Sequence, residues 1–579
     1  MTPTTAGGGF AHVLVLTLAA LAPACGGEPT DPGDGGTVAF LGLTIAPDSG
    51  KLFVTQSGYV TAQPFDRNHH LITGVSVSWA SSDTTVAQIY PAGDVSVGVF
   101  AKAPGRAIIS ASSGDAHASA TFAVRVVPLG SVQVTPDSSA AYAGSTTTLA
   151  ATVTDTFGGM LTDRQVIWSS TNPARAAVNA NGVVTGLSAG AVIIIVTCEG
   201  KADSAWLTLL DRPTADWSAV TEDWGTFQGN AAHTGYIPAV LDPGVFAKRW
   251  EAVIGPTTYG LNQAAAAGGR VFASNSAYFG EQRLVTLDAV TGTELWSQSF
   301  GTIHSVDPPA YANGTVYVAT GGHEDSFIRA YDAATGAELF STSYENQWSR
   351  WQAPVVSGGS VYMAGGYYGG MYSFDGAGAE RWFNQLGQYE GFTPAVAAGR
   401  VYALTGEINP QILVVDAATG VRVDSLNDAT LTTMSYAPGG TPVLGSAHNL
   451  LTVQANRLFA FDLQSHGTAW QISGSYIGQP AVANGVVYVQ NGGDVEARAE
   501  SNGALLWSWR RPGQPQLWPN MIVTKNLLFA SDGATTYAAD LDARRQVWAY
   551  PAGGDLSLSK DGLLLIARPD GVLEAITAK

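Results

Sequence analysis

Before Asp288 the chain alternates, with Val285 and Leu287 on one face and Thr286 and Asp288 on the other. That period of two predicts a half-buried strand. The adjoining stretch DAVTGTELW (288–296) predicts a hairpin corner. The Asp and Thr side chains can bond turn amides, and Gly takes positive φ without steric cost. The chain then returns as a strand ending on an aromatic able to fill the space between sheets. Echoes of this corner recur as DAATGAELF (332–340), DAATGVRVD (416–424), DLQSHGTAW (462–470), AESNGALLW (499–507) and DLDARRQVW (540–548). A copy one residue shorter, DGAGAERW, occupies 375–382.

Ahead of each corner lie two more strand-like runs, such as 309–312 and 315–320 joined by Asn313-Gly314, a strong hairpin signal. One unit is four antiparallel strands over roughly 38 to 48 residues, the period of a propeller blade. Full units begin near Gln263, Asp307, Ala353, Thr393, Thr441, Gln479 and Trp518. An eighth begins near Asp555 but has chain for only three strands before Lys579. KRWEAVIG (248–255) reads as its missing fourth strand, with Trp250 in the aromatic position. The expectation is an eight-bladed ring whose closure removes exposed sheet edges. The repeat resembles the pyrroloquinoline-quinone-like propeller family, which includes quinoprotein dehydrogenases and outer-membrane assembly lipoproteins. The lead-in WGTFQGNAAHTGY (224–236) is similar to that of secreted members. The resemblance covers roughly 224–579 and implies a fold, since one fold hosts many activities.

Upstream, short alternating strands recur in two copies. Pro47 and Pro136 lie 89 residues apart, as do Trp79 and Trp168. VSWASSD (77–83) matches VIWSSTN (166–172), and APGRAIIS (103–110) matches SAGAVIII (188–195). This predicts tandem β-sandwiches at 37–127 and 128–211, which resemble bacterial group 2 immunoglobulin-like domains. The fold class expected is therefore all-β, two immunoglobulin-like sandwiches followed by an eight-bladed propeller over 224–579. The polar run between them, 212–223, reads as a linker or short hinge.

At the N-terminus, VLVLTLAALA (13–22) is apolar but short for a bilayer span. Residues 1–24 therefore read as a signal peptide. Leu21-Ala22-Pro23-Ala24-Cys25 resembles a bacterial lipobox, which implies lipidation at Cys25. The Gly-rich run 26–36 then reads as part of a flexible tether from 25 to 36. The location expected is the cell envelope, as an outer-membrane lipoprotein on its periplasmic or surface-exposed side.

Composition narrows the function. Glycine is 68 of 579 residues and charged residues are 13%, against ~7% and ~25% in ordinary domains; this suits turn-rich β structure. A net charge of −18 disfavours nonspecific nucleic-acid binding. The two cysteines are Cys25 and Cys198, so neither sandwich holds an internal disulfide, and Cys198 reads as a buried spectator thiol.

No catalytic residue, metal ligand set or cofactor is expected. The resembling dehydrogenases hold their quinone with a vicinal disulfide and calcium. This propeller has no cysteine, although Glu407 and Asn409 have the chemistry of calcium ligands. His69-His70 read as a solvated turn. The remaining signal is asymmetry. On one rim the first four blades carry long loops (274–282, 321–326, 365–370 and 405–411), where later blades shorten to turns. With the connection ENQWSRWQ (345–352) they offer Tyr278, His323, Trp348, Arg350, Trp351, Tyr367, Tyr368 and Glu407 as a candidate binding face, rich in residue types common at binding hot spots. The function expected is a noncatalytic binding or scaffold propeller on an immunoglobulin-like stalk. Its partner would be an envelope protein, peptide or glycan, and the protein a monomer. The alternatives are an outer-membrane assembly role and a quinone-dependent or polysaccharide-acting enzyme.

Overall fold

The computed structural model describes residues 41–579 except 256–259, 323, 325, 347–351, 366–369, 387–391, 406–409, 432–440, 447 and 511–519. Among the described residues every regular element is a strand apart from two 3-10 turns, Phe227–Gly229 and Pro243–Val245. By contact the chain forms two compact units. One comprises the described residues up to Val132 with Thr152–Gln165 and Cys198–Lys201; the other comprises Gln133–Ala151, Val166–Thr197 and Ala202–Lys579. The residues of the second sandwich divide between them.

In the first unit two four-stranded sheets face one another. One runs Gly42–Ala46, Ser57–Phe65, Ser96–Ala101, Ala87–Pro91, and the other Ser49–Phe53, Ala116–Arg125, Gly105–Ser113, Ser78–Ser81. Alternate residues Val60, Val97, Val99, Ile109, Ala120 and Phe122 point inward and form the core, with half-buried Trp79 against it. This is the inward-outward alternation of a sandwich. In the second unit the matched copy repeats the pattern. Ser138–Tyr142 pairs in parallel with Lys201–Leu210, as Ser49–Phe53 does with Ala116–Arg125, and Ile167–Ser170 pairs with Gly190–Cys198.

Residues 247–577 build eight sheets. The first is Ala265–Ala267, Arg270–Ser274, Gly280–Asp288, Glu294–Ile303, in sequence order, and its six successors repeat that meander, the second with its inner strand split into Ser305–Val306 and Ala310–Ala312. In the eighth, Asp555–Leu558, Leu563–Ala567 and Val572–Thr577 are completed by Ala247–Val253 from before the first sheet. The closing register sets Ala247 opposite Thr577, Trp250 opposite Ala575 and Val253 opposite Val572, where the sequence places 248–255 against 571–578. The first strand of each sheet touches that of the next, and Asp555–Leu558 touches Ala265–Ala267. The inner strands thus form a closed ring of eight, the β-propeller architecture.

The repeated corner explains how neighbouring blades lock. Asp288 Oδ1 accepts the Val290 and Thr291 amides and the Thr291 hydroxyl at 2.8–2.9 Å. Gly292 then adopts φ +73°. Trp250 of the preceding blade lies over that glycine, and its indole N–H donates to Ala289 O at 3.0 Å. A Cβ on Gly292 would fall 2.6 Å from the Trp250 ring. The same latch joins Trp296 to Ala333 and Gly336, and Trp382 to Ala417 and Gly420. The aromatic position of one blade and the glycine of the next therefore form a single packing unit.

The segment 212–223, expected as a hinge, is held down. Arg212 forms a two-pronged pair with buried Asp242 (2.5–3.2 Å). Asp216 and Val240 exchange backbone hydrogen bonds at 2.8 and 2.9 Å. Trp217 and Val220 pack on the core of the last blades, and Asp223 pairs with Lys560 at 2.9 Å. Its polar composition conceals two apolar anchors that find cover, and burial of these offsets the cost of ordering the chain.

Candidate binding rim

The loops between second and third strands differ around the ring, but less sharply than the sequence implies, since those of the seventh and eighth blades, between Ser531 and Thr536 and between Ala567 and Val572, are almost as long as that of the first. In the first four blades they lie between Ser274 and Gly280, Gly321 and Phe327, Ala364 and Met371, and Thr405 and Gln411. In the fifth and sixth they contract to turns between Gln454 and Arg457 and between Asn491 and Asp494.

The first loop is built with care for its polar groups. Buried Asn275 donates to Glu281 O at 2.8 Å and accepts the Arg283 amide at 2.7 Å. Buried Gln282 donates to Ala277 O at 2.9 Å. Ser276 N donates to Gly260 O at 2.8 Å. Two wholly buried amide side chains thus cinch the loop from within. At its tip Tyr278 and Phe279 are exposed, 53% and 50%, with ring centroids 4.8 Å apart. Both rings stand edge-on to buried His304 at 5.0 Å, whose carbonyl accepts the Phe279 amide at 3.0 Å. Phe279 sits at φ +52°, a left-handed conformation uncommon for a bulky residue. Exposed rings held at a backbone cost are features that binding sites retain.

Of the candidate face, Tyr278 is exposed at a loop tip. His323, Trp348, Arg350, Trp351, Tyr367, Tyr368 and Glu407, with Asn409, lie outside the described residues. Phe279 was legible as a second aromatic in SNSAYFGEQ, but nothing local marks its backbone. Around the neighbouring loops, Ser326 donates to Asn346 O at 2.9 Å and Gly365 N to Gly370 O at 2.8 Å.

Elsewhere, His69 stacks on Phe65 (5.2 Å) and His70 lies 3.6 Å from Asp66. The His70 backbone amide, with that of Asn68, holds the Asp66 carboxyl below its usual range against the opposing effect of burial. This is a turn stabilised by an acceptor. Cys198 is buried, and Cys25 lies outside the described residues. Among the described residues no three His, Cys, Asp or Glu side chains are grouped to hold a metal ion.

A ring of eight β-meanders, with the aromatic–glycine latch between several of them and sandwiches ahead of it in the chain, defines a propeller protein of the pyrroloquinoline-quinone-like class. The family model described as "Outer membrane protein assembly factor BamB" matches residues 233–471 and 324–550, together more than half of the chain. The chain belongs to that family. A second model, the bacterial Ig-like domain (group 2), matches 128–209.

Among curated proteins, Ice-binding protein 1 of Shewanella frigidimarina is 33% identical over 137 residues, 24% of this chain and 15% of that protein. Outer membrane protein assembly factor BamB of Nitrosomonas eutropha is 28% identical over 165 residues, 28% of this chain and 38% of that protein. The chain thus spans well under half of either relative. Solved structures similar to it include BamB from Moraxella catarrhalis (17% identity, TM-score 0.46, 57% of this chain and all of that one). A europium-containing methanol dehydrogenase gives 13% identity and TM-score 0.48, covering 60% of this chain and 89% of that one.

Proposed function

We propose that this is an exported, lipid-anchored envelope protein whose propeller is a noncatalytic binding and scaffold module. Its binding face is the rim of the long second-to-third strand loops on the first four blades. The observation that carries this reading is the Tyr278–Phe279 pair, exposed at the tip of a loop whose base is fixed by buried Asn275 and Gln282. Long loops carry an ordering cost that the short turns of the fifth and sixth blades show the fold can avoid. The partner proposed is an envelope protein or peptide, or else a glycan, with the sandwiches as stalk, Cys25 as the lipidated anchor and the protein a monomer in the outer membrane.

A second reading, participation in outer-membrane protein assembly, is supported by the description of the matching family model and of the Nitrosomonas relative. The two readings share a rim and differ in partner. The test is photo-cross-linking in intact cells from position 278, compared with position 484 in the first-to-second strand turn of the sixth blade. A specific adduct from 278 alone is expected, and loss of membrane association in Cys25→Ser. Equal or absent adducts would place the site elsewhere. An adduct to an outer-membrane assembly component would select the second reading.

A further inference from the structure

Just before the propeller, residues 224–237 run from blade to blade around the channel in chain order. Trp224 O accepts the Ala266 amide of the first blade at 2.8 Å, and Gly225 O accepts Tyr311 N of the second at 2.6 Å. The Thr226 hydroxyl donates to Pro354 O of the third at 3.1 Å. Ala231 O accepts Val396 N of the fourth and Ala232 O accepts Leu444 N of the fifth, at 2.7 and 2.9 Å. Thr234 O and Gly235 O accept Val482 N and Val523 N of the sixth and seventh, both at 2.8 Å.

The eighth blade is joined through Gln228, which is fully buried. Its amide donates to Gln263 Oε1 at 2.9 Å, and its Oε1 accepts Asn520 Nδ2 at 3.1 Å. Gln263 and Asn520 both donate to Leu556 O, at 2.8 and 2.9 Å. Each amide bonded by the segment belongs to the last two residues of its inner strand. The segment therefore lies at the end of the channel where first strands turn into second strands, opposite the long-loop rim.

We propose that residues 224–237 are a closing hoop, a single device that sets the number of blades and stoppers one mouth of the channel. Inner-strand amides facing a channel need acceptors, and the hoop presents them to six of the eight blades, meeting the third through the Thr226 hydroxyl and the eighth through Gln228. A ring with one blade more or fewer would leave part of this set unmatched. Because the hoop precedes every blade in the chain, it is present as each inner strand is laid down. With that mouth closed, a ligand reaches the channel from the other rim.

The test is amide hydrogen exchange of the full-length chain. Gly235 has φ +62°, and a Cβ there would meet Met521 O at 3.0 Å and the Ala481 Cβ at 3.1 Å, so Gly235→Val strains the hoop at the sixth and seventh blades. If the hoop acts as one device, exchange rises about tenfold at Ala266, Tyr311, Val396 and Leu444 as well as at Val482 and Val523. A rise confined to Val482 and Val523 overturns the proposal. Should Gly235→Val fail to fold, Gln228→Ala removes the side-chain bond to Asn520, which in turn holds Leu556 of the eighth blade, while the backbone bond to Gln263 stays. Faster exchange at Ala266, Val523 and Leu556 then supports the hoop, and unchanged exchange overturns it.

Discussion

The Tyr142 hydroxyl of the second sandwich donates to Asp540 Oδ2 of the seventh blade at 2.5 Å, across 398 residues of sequence. Asp540 Oδ1 meanwhile accepts the Asp542 and Ala543 amides of its own corner at 3.0 and 2.7 Å. One carboxylate therefore serves two purposes, shaping a blade corner and receiving the sandwich. The strand Ser138–Tyr142 packs on Arg545–Tyr550 beside this bond.

Tyr142→Phe removes a buried hydrogen bond to a carboxylate, with an expected loss of roughly 1.5–3 kcal/mol, read by chemical denaturation. The substitution also alters alkaline stability. Burial, and then the bond to Asp540, push the Tyr142 hydroxyl above its ordinary value of 10.0. Its contribution is fully present below that pH and is lost as pH climbs above it, because the unfolded tyrosine then ionises first. The wild-type chain should lose stability above pH 10 faster than Tyr142→Phe does; parallel slopes would show that the bond does not couple to titration.

The aromatic–glycine latch makes a sharper forecast. At Gly336, φ is +73° and an added Cβ would stand 2.7 Å from the Trp296 ring. Gly336→Ala should cost about 2 kcal/mol or more from backbone strain and displaced packing together. Gly314→Ala, at φ +84° with no atom near its Cβ, should cost only the backbone part. Equal losses by calorimetry would mean the Trp296 contact contributes nothing.

Between the fourth and fifth blades the latch is rewritten. Asp424 occupies the aromatic position and His466 the glycine position, at φ +62°, and the His466 ring bonds the Asp424 carboxylate directly. Each single change, Asp424→Trp or His466→Gly, should destabilise, while the double change restores the latch found elsewhere. A double-mutant cycle should give favourable coupling of about 1 kcal/mol or more. Additive effects would show that these two positions do not act as a pair.

Closure can be tested by deletion. A chain ending at residue 570 lacks Val572–Thr577 and strands both Leu563–Ala567 and Ala247–Val253 without their common neighbour. Two bare sheet edges should drive self-association, visible by light scattering. A truncated chain that stays monomeric with an unchanged Tm would show that the ring does not depend on this seam.

Much of this fold was legible because its chemistry is local. Asp288, Thr291 and Gly292 state a turn within five residues, and repetition multiplies the signal. Trp250 could be assigned to a missing strand because it stands in the repeat's aromatic position. The linker misled, since Trp217 and Val220 are too few to show a period. Tyr142–Asp540 and the hoop were hidden for a different reason. The former joins residues distant in sequence, and the latter relies mostly on backbone carbonyls, which carry no residue signature. At the rim, loop length singles out Tyr278 as a candidate but not Phe279, whose unusual feature is a backbone dihedral angle.

The closing strand has a mechanical consequence. Ala247–Val253 lies just downstream of Asp242, which Arg212 grips, and Tyr142 grips Asp540 farther along. A pull transmitted through Ser138–Tyr142 or Lys201–Leu210 meets these two clamps before it can reach the strand that zips the ring. Tension from that side is borne at the flank of the propeller, and the seam is shielded from peeling.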